Sequence, residues 1–224
     1  MAYILHLETA TKVCSVALSN NGKLIEFIET EEDGYTHAEN LTVFVEQILT
    51  NAKIGTKDLS AISVTSGPGS YTGLRIGVST AKGLCYALGI PLIAVNALEA
   101  IAAQGQKLYP AKNICALIDA RRMEVFSAIY DSEMKLLKGI SADVIEENTY
   151  DEFEHLLICG DGSEKLQEIW KERDLNFDIS IKSSAKGHVE IAFAKFENKE
   201  FEDVAYFEPF YLKDFVALKS KKRI

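Results

Sequence analysis

Two acidic residues, Glu8 and Asp119, each close a short apolar stretch of the sequence. The stretches read ILHLE from residue 4 and CALID from residue 115, so an offset of 111 residues (115 − 4) brings the two carboxylates into register. A carboxylate at the start of a hairpin can hold a metal ion and, through it, a phosphate group. The turns that follow, TATK and ARRM, contain no glycine, so side chains fill the space where phosphates would approach backbone N–H groups. Glu8 and Asp119 therefore predict a degenerate nucleotide site, in a chain that binds no cofactor of its own.

A second candidate for phosphate chemistry is the stretch SGPGSYTGLRIG, residues 66–77. The glycines and proline of residues 67–69 end the preceding strand, because glycine supplies positive φ and proline lacks a backbone donor. A Walker loop would place a lysine after its last glycine, and a dinucleotide-binding turn would place its third glycine three residues after the second. Neither pattern is present, since no lysine stands there and the next glycine comes four residues later. The stretch instead predicts a strand-to-helix turn with close packing, with Ser70 or Thr72 as the N-cap.

The helix after this turn is predicted to run to Leu88 and to stop at Gly89. It carries an apolar stripe, a polar and aromatic stripe with Tyr71 and Arg75, and a third, nonpolar face. The third face consists of Gly73, Ile76, Gly77, Thr80, Gly83, Leu84 and Ala87. Each glycine inside a helix costs about 1 kcal/mol relative to alanine, so three of them indicate the close approach of another backbone. The helix is therefore predicted to pack on two sides.

The histidines and hydroxyl residues do not form a catalytic or metal-binding pattern. The four histidines, His6, His37, His155 and His188, are scattered, and no two of them stand at the i, i+4 spacing that aims two rings at one metal ion. No combination of serine, histidine and aspartate can be assembled by sequence into a nucleophilic triad. The sequence predicts no catalytic residue and no metal ligand, and His37 is expected to act as a capping or interface residue at a helix start.

Hydrophobic periodicity defines the elements that position these residues. Three strands open the chain, with Asn20-Asn21-Gly22 as the hairpin turn between the second and the third. They are followed by a helix, a strand, the glycine turn with its helix, another strand and a further helix from Ala97. Residues 105–112 are polar, contain Pro110 and predict a domain boundary. The same strand pattern then begins again. The expected elements are strands at 3–8, 13–18, 23–30, 61–66, 92–95, 115–119, 124–129, 135–140 and 157–160, and helices at 37–52, 70–88, from 97, and at 150–157, 164–173 and 189–196.

The repeat predicts an α/β fold made of two βββαβα halves, an arrangement that resembles the actin-like ATPase (ASKHA) superfamily. The first half is expected to span residues 1–108 and the second residues 109–208, with the C-terminal segment 209–224 packing back on the first. The hydrophobic content of 47% supports a folded core in a chain of this length.

The net charge of −9 disfavours independent binding to nucleic acid or to an anionic membrane. Only the tail, Lys219 to Arg223, is basic, and it is expected to be a solvated end. The four single cysteines predict buried free thiols, and no signal peptide or membrane-spanning stretch is present, so a cytoplasmic protein is expected.

A more specific resemblance rests on motifs spread over nearly the whole chain. LETAT at residues 7–11, THAENL at 36–41, the glycine-rich stretch at 66–77, LIDARR at 117–122 and PFYL at 209–212 are together similar to the bacterial TsaB (YeaZ) family. The resemblance implies a noncatalytic subunit in the synthesis of threonylcarbamoyladenosine on tRNA, beside the anticodon. It implies the catalytic paralogue TsaD and the P-loop ATPase TsaE as partners, which use ATP and metal, and contact with tRNA through the complex rather than by this chain alone.

The resemblance also implies where the partner binds. In this family the helix predicted at residues 37–52 and the helix after the glycine turn together meet the equivalent helices of the catalytic paralogue. The catalytic paralogues carry a histidine pair on the next helix, whereas residues 96–101 of this chain read NALEAI. An isolated chain is expected to form a homodimer through the same surface. The alternative function is an ATP-dependent small-molecule kinase of the actin-like superfamily. The expected partner interface comprises His37, Leu41, Tyr71, Gly73, Arg75, Ile76, Gly77, Thr80 and Leu84.

Overall fold

The computed structural model describes residues 1–31 and 37–213 of the 224-residue chain. Within these ranges the backbone forms two five-stranded sheets and five helices. The elements are β1 (Tyr3–Glu8), β2 (Val13–Asn20), β3 (Lys23–Glu31), α1 (His37–Ala52), β4 (Leu59–Gly67), α2 (Tyr71–Leu88), β5 (Leu92–Asn96), α3 (Ala97–Leu108), β6 (Asn113–Asp119), β7 (Glu124–Tyr130), β8 (Leu136–Val144), β9 (Leu156–Cys159), α4 (Glu164–Ile169), β10 (Asn176–Asp178) and α5 (Val189–Asn198).

The first sheet has the strand order β3-β2-β1-β4-β5. Its first three strands are antiparallel neighbours, and β1, β4 and β5 run parallel to one another. Asn21 and Gly22, both with positive φ, form the turn of the β2–β3 hairpin, as the Asn-Asn-Gly sequence predicts. The helices α1 and α2 cover one face of this sheet and bury a core that includes Leu5, Val16 and Ile62.

The second sheet repeats the first, with the order β8-β7-β6-β9-β10 and the same alternation of antiparallel and parallel pairs. Glu8 and Asp119 end the equivalent strands β1 and β6. This repeated order confirms the predicted fold class, two halves of the actin-like type.

The prediction for the second half placed a helix at residues 150–157 that does not form, and it missed the strand β10. No helix covers residues 150–157; the chain forms turns there and enters β9 at Leu156. Tyr150 and His155 adopt positive φ, whereas residues inside a right-handed helix have negative φ. Long-range contacts hold the turns, because the buried Tyr150 hydroxyl donates to Asp143 (2.5 Å) and Trp170 donates its ring N–H to the Glu146 carbonyl (2.9 Å). The following helix is also shorter than predicted, since α4 ends at Ile169.

Each half contributes a helix to the other half's sheet. The end of α3 at Leu108 places the first residues of the predicted 105–112 boundary inside a helix. Leu98 and Ile101 of α3 pack with Ile114 of β6, whereas Ala192 of α5 packs with Ile4 of β1. Two sheets tied by exchanged helices form a fixed frame for the turns at their edges.

The segment that follows α5 returns along the first half. Glu202 bridges to Leu92, Lys82 donates to two backbone carbonyls of this segment, and the Phe210 N–H donates to the Ser66 carbonyl (2.7 Å). Phe210 and Tyr211 therefore lie against the first half, whereas Lys213 pairs with Glu124 of β7 in the second half (2.5 Å). The rest of the predicted 209–224 segment and the basic tail lie outside the described residues.

Two sequence-based expectations concern the whole molecule. All four cysteines are buried free thiols, as predicted. None of the helices within residues 1–31 and 37–213 combines the length and the apolar character needed to cross a bilayer.

Candidate partner-binding face and the acidic hairpins

The position of α2 is fixed by the glycine turn at its start. The Ser70 N–H donates to the Ala10 carbonyl (2.6 Å), and the Ser70 hydroxyl accepts from the Gly73 N–H (3.3 Å) as the N-cap. Gly69 packs so closely on Ala10 that a Cβ would lie under 3.0 Å from that residue. At the other end Gly89 adopts the left-handed conformation, with φ of 67°, and stops the helix. The cap and the stop are both as the sequence predicts.

The inner face of α2 explains one of its three interior glycines, Gly77. A Cβ on Gly77 would lie under 3.0 Å from the Thr9 hydroxyl oxygen and 3.5 Å from Val64. Thr9, in the β1–β2 turn, also donates its hydroxyl to the Gly73 carbonyl (2.8 Å). The close contact is therefore made within the chain, by a side chain of the β1–β2 turn rather than by another backbone as the glycines predict.

This burial corrects the expected partner interface. Gly73 and Gly77 lie on the buried inner face of α2, and Leu41 of α1 is 1% exposed in the first-sheet core. These three residues cannot meet a partner without unfolding the core, so the candidate face is redrawn without them. His37 is the first residue of α1.

The flank of α2 that faces α1 forms a groove of about 380 Å³. Thr80 and Leu84, both predicted interface residues, line the groove from α2. Val45 and Leu49 line it from α1, and no sequence pattern predicts this groove. The full lining is Thr42, Val45, Glu46, Leu49, Thr50, Ile54, Thr56, Thr80 and Leu84.

The outward face of α2 is lined by small side chains. Ser79, Gly83 and Ala87 are exposed at successive spacings of four, and Ile76 next to them is half-buried. Among the described residues, no atom outside the helix lies within 4 Å of a Cβ built on Gly83. Gly83 therefore lacks the packing reason that the Thr9 side chain supplies for Gly77. Tyr86 projects beside it and is 86% exposed.

The opposite flank of α2 carries Tyr71 and Arg75. The Arg75 guanidinium lies over the Tyr71 ring at 4.0 Å and donates to the Tyr211 hydroxyl (3.3 Å), and the two tyrosine rings are 4.9 Å apart. The hydrogen bond to Tyr211 raises the pKa of Arg75. These interactions fasten the returning C-terminal segment to α2, while Arg75 stays exposed at the edge of the candidate face.

The two acidic hairpin residues have different environments. Glu8 is fully buried, with one carboxylate oxygen accepting from the Ala10 N–H (2.5 Å) and the other from the Thr65 hydroxyl (2.5 Å). The second oxygen also lies 3.4 Å from Nε2 of His188. Burial by itself raises the pKa of Glu8, but the hydrogen bond and charge of His188, together with Thr65 and Ala10, lower it below its ordinary value.

Asp119 is half-exposed and pairs with Lys165, whose ammonium lies 2.5 Å from one carboxylate oxygen. Lys165 also donates to the backbone carbonyls of Arg122 and Glu124, so that it closes the β6–β7 turn. Arg121 and Arg122 both adopt positive φ in this turn. Two arginines and the Lys165 ammonium therefore surround the turn at Asp119.

The described residues do not fit a nucleotide with its metal ion. Both oxygens of Glu8 accept hydrogen bonds from the chain, and Asp119 forms an ion pair with Lys165. Among residues 1–31 and 37–213 no three His, Cys, Asp or Glu side chains converge to hold a metal ion. His188 and Lys165 were not foreseen from the sequence, because His188 lies 180 positions from Glu8 and Lys165 46 positions from Asp119.

Comparisons with known proteins show which family the sequence and fold resemble. Residues 31–221 match the family described as "TsaD: tRNA N6-adenosine threonylcarbamoyltransferase". The chain is 30% identical to the tRNA threonylcarbamoyladenosine biosynthesis protein TsaB of Escherichia coli (strain K12) over 96% of both chains. It is 36% identical to the protein of the same name from Haemophilus influenzae over 123 residues, which cover 55% of this chain and about half (51%) of that one.

The structure is similar to that of YeaZ from Pseudomonas aeruginosa, with a TM-score of 0.82 at 27% identity. The superposition covers 95% of this chain and 100% of the other.

Proposed function

The chain belongs to the TsaB (YeaZ) family, and we propose that it serves tRNA threonylcarbamoyladenosine biosynthesis as a noncatalytic subunit that binds a catalytic paralogue of the TsaD type. The contact is made by the exposed face of α1 and α2, which we define as Thr42, Val43, Glu46, Thr80, Gly83, Leu84 and Tyr86. In this role the chain holds its paralogue in the active arrangement and supplies no reacting group.

The observation that carries this proposal is Gly83. A glycine in a helix interior costs about 1 kcal/mol relative to alanine, and such a cost is commonly offset by a close backbone approach. Gly77 is accounted for inside the chain, because a Cβ there would meet the Thr9 side chain, while Gly83 is exposed with open space above it. A helix of a second protein crossing α2 at Gly83 accounts for this glycine.

The groove beside Gly83 supports the same assignment. Its walls combine apolar side chains, Val45, Leu49 and Leu84, with the carboxylate of Glu46. Val43 and Tyr86 are 45% and 86% exposed. Exposed aromatic and aliphatic anchors beside an apolar groove are typical of a surface that receives side chains from a partner helix.

The remaining parts of the proposal follow from family membership. The catalytic paralogue and the P-loop ATPase TsaE use ATP and metal, and tRNA reaches this chain within the complex, in keeping with its net charge of −9. Without the paralogue, the same face binds a second copy of the chain as a homodimer.

The alternative function is an ATP-dependent kinase, which requires Glu8 to give up its bonds to Ala10, Thr65 and His188. Calorimetric titration with ATP and magnesium separates the two functions.

The test compares Gly83→Leu with Gly139→Leu in co-purification with the TsaD-type paralogue of the same organism. Gly139, on β8, is also exposed with nothing within 4 Å of a built Cβ, so it is a matched control on a different surface. A leucine at a tight helix crossing costs about 1–3 kcal/mol, which weakens binding about 5- to 150-fold. We expect this loss only in Gly83→Leu, with neither variant less stable than the wild type when each is measured as a monomer at low concentration. Wild-type affinity of Gly83→Leu would remove α2 from the interface.

A further inference from the structure

Glu8 lies at the place in the fold where a ligand is usually bound. It ends β1 beside the parallel strand β4, and β1 has its antiparallel neighbour β2 on the other side. In open α/β sheets, ligands bind in the crevice beyond the carboxyl ends of the strands, where the strand order reverses. The contents of this crevice therefore decide whether the first half can take a ligand.

The crevice is filled by the chain itself. Residues 182–188, here called the strap, connect the second sheet to α5 and pack on β1, β2, β3 and α3. The Ser184 hydroxyl donates to Glu29 (2.6 Å), and the Ala185 N–H donates to the Ser15 hydroxyl (3.1 Å). Lys182 reaches both carboxylate oxygens of Glu31 at 2.8 and 2.7 Å. The strap is thus fastened along β2 and β3.

The last residue of the strap, His188, reaches Glu8. Thr65 has a single hydroxyl proton, which it donates to Glu8 at 2.5 Å. The Thr65 oxygen is then an acceptor toward Nε2 of His188, 3.0 Å away, so this ring nitrogen carries a proton. That proton also points toward the Glu8 carboxylate at 3.4 Å. His188 and Glu8 are both fully buried.

In the second half the acidic residue is also paired with a nitrogen donor of the chain, which there is a lysine. Asp119 ends β6 as Glu8 ends β1, and its carboxylate is met by the ammonium of Lys165. In both halves the acidic residue at the ligand edge is therefore matched by a nitrogen donor of the chain. The repetition argues that these pairs replace a bound cation.

We propose that His188 stands in for the cation at Glu8, so that the strap keeps the first-half crevice closed to metal and nucleotide. Removal of the imidazole converts the crevice into a pocket for a small cation, either imidazolium or a divalent metal ion, held by Glu8. This proposal concerns the isolated chain and is independent of partner binding.

The test is thermal unfolding of the full-length His188→Ala variant alone, with imidazole, and with manganese chloride. The variant should unfold at a lower temperature than the wild type and regain about half or more of the loss with at least one of the two cations. His6→Ala is the matched control, because His6 is an equally buried imidazole that bonds Ser63 and Ser19 rather than Glu8. It should gain nothing from manganese.

The recovery must depend on Glu8. In the double variant Glu8→Gln, His188→Ala neither cation should restore stability. Recovery that persists in the double variant, or its absence with both cations in His188→Ala, would overturn the proposal.

A second pair of variants decides the question if His188→Ala does not fold. His188→Gln keeps an N–H donor and should fold with nearly wild-type stability, whereas His188→Met fills the volume without a donor and should be less stable. Equal stability of these two variants would show that Glu8 needs no donor from the strap.

Discussion

The substitution Gly77→Ala tests how closely α2 packs on the β1–β2 turn. The added Cβ would lie under 3.0 Å from the hydroxyl oxygen of Thr9, a residue that is 1% exposed and has no free volume to move into. Thr9 would have to turn away and lose its hydrogen bond to the Gly73 carbonyl.

The magnitude combines three effects. Overpacking costs about 1–3 kcal/mol, and a buried hydroxyl without its partner costs about 1–3 kcal/mol. Alanine gains about 1 kcal/mol of helix propensity over glycine. The midpoints leave a net loss of about 3 kcal/mol, which in a chain of this size lowers the melting temperature by about 6–12 °C.

Urea unfolding of a double-mutant cycle measures this contact. Thr9→Ala removes the obstructing oxygen, so Gly77→Ala should cost little or become stabilising in that background. Thr9→Val keeps a methyl group in the same place, and Gly77→Ala should remain costly there. Equal costs of Gly77→Ala in the wild-type and Thr9→Ala backgrounds would refute the packing argument.

Two further predictions concern pH. Burial, and then the charge of His188, hold the pKa of His6 well below 6.5, so its contribution to stability is full above pH 6.5 and is lost as the pH falls below that value toward its folded pKa. His6→Gln should remove this part of the acid dependence, up to about 1.4 kcal/mol per pH unit, in urea unfolding between pH 7 and 5; an unchanged slope would contradict a neutral buried His6. Burial raises the pKa of Asp161 from 3.8 to about 6, so this carboxyl lowers stability as the pH rises through that range. Asp161→Asn should therefore be more stable than the wild type at pH 8 but not at pH 4, and a variant less stable at pH 8 would reverse the assigned sign.

Local sequence signals were enough to predict where several helices and strands begin, turn or end. Ser70 as the N-cap, Gly89 as the stop and Asn21-Gly22 as a hairpin turn depend on the φ values and donors of a few adjacent residues. Such signals do not require knowledge of the rest of the chain, and all three were predicted correctly.

The missing helix at residues 150–157 shows where such signals fail. The segment has helical periodicity, but the Tyr150 hydroxyl bonds to Asp143 and its ring packs against Trp170. These partners lie 7 and 20 positions away, and their contacts favour positive φ at Tyr150 over a helix. Tertiary contacts therefore overrode the local preference.

The sequence by itself determined that the fold is a repeated one, that acidic residues close β1 and β6, and that the glycines of α2 indicate a close contact. Only the tertiary structure decided what makes that contact, because the rotation of α2 about its axis turns Gly77 toward the Thr9 side chain and leaves Gly83 outside. It also decided that Glu8 is matched by His188, 180 positions away. Pairings at that separation arise from how the sheets and the strap meet, and no periodicity or spacing along the chain encodes them.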